Sequence, residues 1–299
     1  MLKDNSASVH QRLLNKARSN GRPFDELFQY FVIERFLYRL STSKHRDQFV
    51  LKGALLFRVW TAEDSRATRD IDFLAYGDNS IDSIIEIVKE IIAVNGDDGI
   101  VFDLDSIDAQ QITEGADYEG KRVVFRAYLG KAVSRMQLDI AFGDVVNPLP
   151  ETGMYPTVLD HAAPELWLYP PESVFAEKLE AMIDLGSLNS RMKDFFDLWR
   201  MAQQFEFDGA ELLNAVSNTL SNRKTEALPY AVLKSELTGS SDKQKQWAGF
   251  LEKSQLSAPH SFADLLEQLE QIISPILDSV LTGGDLVERW KPGGPWIKK

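Results

Sequence analysis

Residues 49–75 read FVLKGALLFRVWTAEDSRATRDIDFLA, and the fold turns on how this stretch divides. Its first part, through Trp60, spaces apolar side chains as a helix does and is expected to be one. Its end differs. In RDIDFLAY, Ile71 and Phe73 alternate with Asp70 and Asp72, the pattern of a short strand with one apolar and one polar face. Both carboxylates then project to one side about 6–7 Å apart, a spacing that suits two oxygens converging on a hard cation. A polar strand face is more often simply solvated, so the pair alone does not make a site.

A third acid strengthens the reading. Asp139 in RMQLDIAFGD lies between Leu138 and Ile140, so its side chain opposes the apolar ones. If that strand lies beside RDIDF, three acids meet at one edge of a sheet. Like charges packed so closely raise each other's pKa unless a cation neutralises them. Magnesium, or manganese in its place, does this; it also bridges triphosphate oxygens and activates an attacking hydroxyl. Asp70, Asp72 and Asp139 are therefore the candidate metal ligands, with three unrelated surface acids as the plain alternative. Upstream, Lys52-Gly53-Ala54 opens the expected helix, 17 residues before Arg69. A glycine there lets backbone N–H groups approach an anion, and a helix start adds partial positive charge. Arg66 and Arg69 flank the acidic strand, where they either contact phosphate or compensate the aspartates.

Outward from this core, the first fifty residues read as helices. In RPFDELFQYFVIERFLYRLS the apolar residues recur every three or four positions, and Arg35 and Arg39 lie one turn apart on the other side. After the acidic strand come an amphipathic helix (SIDSIIEIVKEIIAV) and three strand-like runs, GIVFDLDSI, KRVVFRAYLG and RMQLDIAFGD. NPLPETGMYPT reads as a loop. From Tyr169 onward the pattern is almost wholly helical: ESVFAEKLEAMIDLG follows two prolines and stops at Gly186, RMKDFFDLWRMAQQF follows, and the Gly/Pro-rich tail reads as irregular. The expected fold class is α+β. A small mixed sheet with flanking helices occupies residues 1–165, and a helical domain follows over 166–299.

Composition narrows the chemistry. The 299 residues include no Cys and four scattered His, which excludes disulfides, cysteine-ligated metals and thiol catalysis and disfavours a Ser-His-Asp triad. The net charge of −12 is uneven: residues 1–60 hold eleven cations against five acids, a net of +6, and the remainder carries −18. An acidic chain is a poor wrapper of duplex DNA, but a local basic segment could contact one RNA; solvated helix faces are the ordinary alternative. The polar start lacks an apolar signal core and no window suits a membrane span, so a cytoplasmic protein without a membrane partner is expected.

Gly53-Ala54, Asp70-Ile71-Asp72 and Asp139 together resemble the polymerase-β-type nucleotidyltransferase signature. FVLKGALLFRVW followed by RATRDIDF is closer still to the AbiEii/AbiGii-type nucleotidyltransferase toxins, whose members include the MenT toxins. SVFAEKLEAM with Lys178, then RMKDFFDLW with Arg191, Lys193, Asp194 and Asp197, is similar to that family's C-terminal motifs. The resemblance covers roughly residues 10–200. It implies a magnesium-dependent enzyme that transfers a nucleotide from a nucleoside triphosphate to an acceptor, in some members the tRNA 3′ end, and that pairs with an antitoxin in toxin–antitoxin or phage-defence systems. It further implies catalytic roles for Asp70, Asp72, Asp139, Lys178 and Asp194, and nucleotide contacts from Lys52, Gly53, Ala54, Arg66, Arg69 and Lys193. Lys178 would be a cation on the triphosphate, Asp194 would orient Lys178 or Arg191 or assist the incoming hydroxyl, and Asp197 would support the structure; an interhelical salt-bridge network is the alternative for all three. The family's hydroxyl residue after the glycine is replaced by Ala54-Leu55, which leaves open a nucleotide- or partner-binding module without turnover. A protein or small-molecule acceptor is a third reading.

Overall fold

The computed structural model describes residues 5–61, 68–114, 118–239 and 241–299. The chain divides into two compact units, Met1–Gly143 with Pro150–Tyr169, and Asp144–Leu149 with Pro170–Lys299.

The first unit begins with α1 (Ser6–Asn20) and α2 (Phe24–Thr42), followed by β1 (Phe49–Lys52), α3 (Leu56–Trp60), β2 (Asp70–Ala75) and α4 (Ile81–Ile92). The strands β3 (Val101–Glu114), β4 (Tyr118–Leu129), β5 (Ala132–Phe142), β6 (Glu151–Met154) and β7 (Glu165–Leu168) complete a seven-stranded sheet of order β3-β4-β5-β2-β1-β7-β6. Two pairings are parallel, β2 with β5 and β1 with β7, so the sheet is mixed.

The single helix expected over residues 49–60 is not formed. FVLK is a strand paired on both sides and buried along its length, and an unbroken apolar run is what a fully covered central strand requires. Gly53, at φ +73°, then turns the chain through a short 3-10 segment into the five-residue α3. NPLPETGMYPT also conceals a strand. β6 lies at the sheet edge and is mostly exposed, so no alternation betrays it.

One face of the sheet is apolar. Ile71, Phe73, Val123, Phe125, Leu138 and Ile140 are buried, and Phe36 of α2 packs its ring on Phe73, Phe102 and Phe125. Because α2 is covered on nearly every side, Arg35 and Arg39 are buried rather than solvated. Both close on Asp98, Arg35 through Nε at 3.1 Å and Arg39 through a fork at 2.7 and 3.0 Å, while the Ile100 N–H donates to the same carboxylate at 3.0 Å. Pairing and hydrogen bonding make such burial tolerable.

Glu34 beside them is fully buried, accepts from the Val158 N–H at 2.5 Å and meets Arg35 at 3.0 Å. Burial pushes its carboxyl from 4.5 up to about 7, against the lowering pull of the Val158 amide and the Arg35 guanidinium. A carboxyl whose pKa is raised in the folded state binds more protons folded than unfolded, so stability falls as pH rises between those two values. Glu34→Gln keeps a carbonyl for the Val158 amide and removes the titration. Its thermal midpoint is therefore expected to decline less than that of the parent between pH 5 and 7.5, and parallel curves would show that Glu34 does not titrate there.

The second unit is helical: α5 (Pro171–Leu185), α6 (Met192–Gln204), α7 (Gly209–Arg223), α8 (Tyr230–Thr238), α9 (Ser241–Ser254) and α10 (Phe262–Thr282). The tail expected to be irregular instead contributes β9 (Arg289–Trp290) and β10 (Trp296–Ile297) to a three-stranded ribbon with β8 (Phe207–Asp208). Trp290 anchors it, buried, with its indole N–H donating to the Ala202 carbonyl at 2.8 Å.

Candidate active site

Strand register builds the site in the first unit. Parallel pairing of β2 with β5 sets Asp72 opposite Asp139 and Asp70 opposite Gln137. Antiparallel pairing of β1 with β2 sets Lys52 opposite Asp72, and that of β4 with β5 sets Arg122 opposite Asp139. Directly paired residues point to the same face, so four adjacent strands present one row: Arg122, Asp139, Asp72, Lys52. Neighbouring members are about 4.8 Å apart along the sheet. Asp70 belongs to the same face, two residues from Asp72, and that face is opposite the apolar one covered by α2. The three acids therefore converge on one side of the sheet.

They are not equivalent. Asp139 receives a bidentate guanidinium from Arg122, at 2.7 and 2.8 Å, and a weaker amide contact from Gln137 at 3.2 and 3.4 Å. Asp72 lies against Gly53, where a Cβ would stand 2.0 Å from its Oδ2 and 2.7 Å from its Cγ. Only a residue without a side chain allows that approach, and the left-handed φ of Gly53 favours glycine independently. Ala54 is buried, and α3 is too short for its dipole to be a strong anion anchor. Lys52 is buried too, its ammonium 5.2 Å from the ring centre of Tyr169. Arg69 is exposed just before β2, and Arg66 lies outside the described residues.

Among the described residues no group of three or more His, Asp or Glu forms a ready metal cage. The donor set nonetheless fits magnesium. That ion is commonly bound by one or two carboxylates with substrate phosphates supplying further oxygens, and Asp70 and Asp72 offer the carboxylates. Asp139, with both oxygens on Arg122, does not join such a set in this conformation.

The second unit carries the other predicted residues. Lys178 on α5 reaches Asp194 and Asp197 on α6, each at 2.8 Å, and Arg191 approaches Asp194 at 2.5 Å. Both aspartates are buried and Lys193 is exposed. Burial would raise the Asp194 carboxyl, but the charges of Lys178 and Arg191 outweigh it and hold it well below the usual carboxylate range. Asp197 thus grips Lys178 as closely as Asp194 does. Glu177, one position from Lys178, turns away toward Arg223, which also meets Glu180 and Asp144.

Among the described residues, several cations of the basic amino-terminal segment are paired with acids. Arg12 pairs with Asp160, Arg22 with Glu26, Lys44 with Glu90 and Arg46 with Glu165, while Arg35 and Arg39 are taken by Asp98. Acids folded against the segment thus meet part of its excess charge, while Lys16 and Arg18 are exposed on α1.

Arg122 and Gln137 are the site residues that sequence reasoning missed. Neither carries a motif; both become visible only through their register with Asp139.

A family model described as nucleotidyl transferase AbiEii toxin, type IV toxin–antitoxin system, matches residues 35–268. Two solved structures from Helicobacter pylori are distant likenesses. JHP933 is 16% identical with a TM-score of 0.45, over 95% of this chain and 97% of that one. A protein described as a candidate nucleotidyltransferase is 16% identical with a TM-score of 0.48, over 85% and 97%. No curated protein matches the chain.

Proposed function

Because the chain belongs to the AbiEii family of nucleotidyltransferase toxins, we propose that it transfers a nucleoside monophosphate from a nucleoside triphosphate to the 3′ end of tRNA in a magnesium-dependent reaction. The observation that supports this most is the convergence of Asp70, Asp72 and Asp139 on one sheet face, beside a glycine turn that leaves Asp72 room.

In this reading Asp70 and Asp72 hold the divalent ion. The ion, when bound, supplies positive charge to the triphosphate and lowers the pKa of the attacking hydroxyl. The acceptor oxygen bonds to the α-phosphorus as the bond to pyrophosphate breaks. Asp139 is the group on this face suited to receive the hydroxyl proton. Lys52 stands beside Asp72 in the row, where an ammonium would steady phosphate oxygens, and Gly53 keeps the backbone close to them. The family implies a cognate antitoxin as protein partner, and no helix among the described residues is long and apolar enough to cross a membrane.

Binding without turnover is the rival reading, favoured by Ala54, which offers no hydroxyl to a terminal phosphate, and by the Arg122 cap on Asp139. Incubating the full chain with each α-labelled nucleoside triphosphate, magnesium and total tRNA separates them. Label is expected on tRNA, from one nucleotide in preference, and only with the divalent ion present. Label on protein or on a small molecule moves the acceptor to that class. Nucleotide retained with nothing labelled supports the binding module and overturns the enzymatic reading.

A further inference from the structure

The bidentate contact between Arg122 and Asp139 sits awkwardly with a site built to gather a divalent ion. Each Asp139 oxygen gives a lone pair to the guanidinium, at 2.7 and 2.8 Å, and a cation approaching the same carboxylate would meet a fixed positive charge beside it. The two partners are unequally placed. The Arg122 side chain is 34% exposed and that of Asp139 only 14%, so the arginine is the member of the pair nearer solvent and its departure would open the carboxylate. Gln137 supplies a second donor from β5 itself, which would keep the carboxylate oriented after the guanidinium had gone. A guanidinium fork also matches the oxygens of a phosphate as well as it matches a carboxylate. Arg122, finally, stands in the row Arg122–Asp139–Asp72–Lys52, two strands from Asp72, with Gln110 of β3 opposite it on the other side, on the face where the nucleotide is placed under the transferase reading.

We infer that Arg122 is an exchangeable counter-ion: it caps Asp139 in the empty chain and passes to the triphosphate when nucleotide enters, which releases Asp139 to the divalent ion and the acceptor. This rests on the transferase reading for the location of the nucleotide and deepens it by assigning Arg122 the order in which the site assembles. Metal alone finds a half-closed site; metal with triphosphate finds an open one. Arg122 acts through Asp139 and on the anion, so its removal has opposite consequences for the two ligands. A merely structural arginine would weaken both together.

The test uses the full chain and two probes, neither requiring turnover. Manganese alone is titrated by electron paramagnetic resonance, and inorganic triphosphate is titrated by calorimetry in chelator. Arg122→Ala is expected to bind manganese about tenfold more tightly and triphosphate about tenfold more weakly than the parent, within the usual range of coupling between sites. Arg122→Lys keeps the charge without the fork, so only part of the manganese gain should persist while part of the triphosphate affinity is recovered. Adding Asp139→Asn to Arg122→Ala should cancel the manganese gain. Parallel weakening of both ligands, or no change in manganese binding, overturns the exchange. Should Arg122→Ala fail to fold by circular dichroism, Arg122→Lys decides: a smaller gain in manganese affinity supports the exchange, and no gain overturns it. Asp72→Asn separates the two levels of the argument. If it loses manganese while Arg122→Ala is unchanged, the exchange alone is wrong; if it binds manganese as the parent does, the metal site itself is wrong and the exchange falls with it.

Discussion

Replacement of Asp72 by asparagine is expected to cut nucleotidyl transfer about a thousandfold or more, at the upper end of what one electrostatic group contributes at a transition state. Asp72 is central to the row, with Asp139 on one side and Lys52 on the other. Its carboxylate is also the group against which Gly53 closes. Asparagine preserves that shape, so the turn should not move and the fold should survive. What is lost is one negative charge where a divalent ion needs hard anionic oxygens. The measurement is the initial rate of label transfer at saturating magnesium, with thermal unfolding as the control. A midpoint near that of the parent together with a rate within tenfold of it would remove Asp72 from the chemistry.

How much of this site could be read beforehand depends on the length scale of the signal. Alternation of Asp70, Ile71, Asp72 and Phe73 is local, and the strand it predicts is formed. The opposite orientation of Asp139 relative to Leu138 and Ile140 is equally local. That the two strands lie side by side is not, since a parallel pairing needs a long crossover and nothing in either strand names its neighbour. Arg122 is an instructive omission. β4 and β5 are joined by a two-residue turn, Gly130-Lys131, with Leu129 opposite Ala132. Such a turn fixes register, and counting back from it puts residue 122 opposite 139. The information was present in the sequence but lay in the turn, away from the charged residues.

Other features were written nowhere locally. Arg35 and Arg39 occupy what looks like the solvated side of an amphipathic helix, yet α2 is covered on that side as well and both bind Asp98. Only the tertiary arrangement tells a buried cation from an exposed one. The strand FVLK was hidden for the reverse reason. A strand buried on both faces has no alternation to detect, and its apolar run merges with the helix that follows. Gly53 was the mark of the boundary. Its significance lies in its backbone angle, which the sequence permits without requiring.

Gly53 also supplies the sharpest structural test, because the protein contains its own control. Gly53→Ala should lower transfer about a hundredfold or more, the scale that a 1 Å misplacement of a reacting group can cost. Two effects are combined in that substitution. A non-glycine residue at φ +73° carries backbone strain of about 1–2 kcal/mol. The new Cβ would also stand 2.0 Å from the Asp72 oxygen, closer than any real contact, so the carboxylate must move. Gly21, after α1, has a nearly equal φ of +63° but nothing within 4 Å of where its Cβ would lie. Gly21→Ala therefore imposes the strain without the collision. It should lower stability by about the same 1–2 kcal/mol and leave transfer unchanged. Denaturant unfolding measures the first quantity for both variants and the rate of label transfer measures the second. The contact between Gly53 and Asp72 governs catalysis only if the two alanine variants separate in rate by far more than they separate in stability. Equal rates would mean that Asp72 can shift away from the turn at no cost, and that the close approach is a feature of packing.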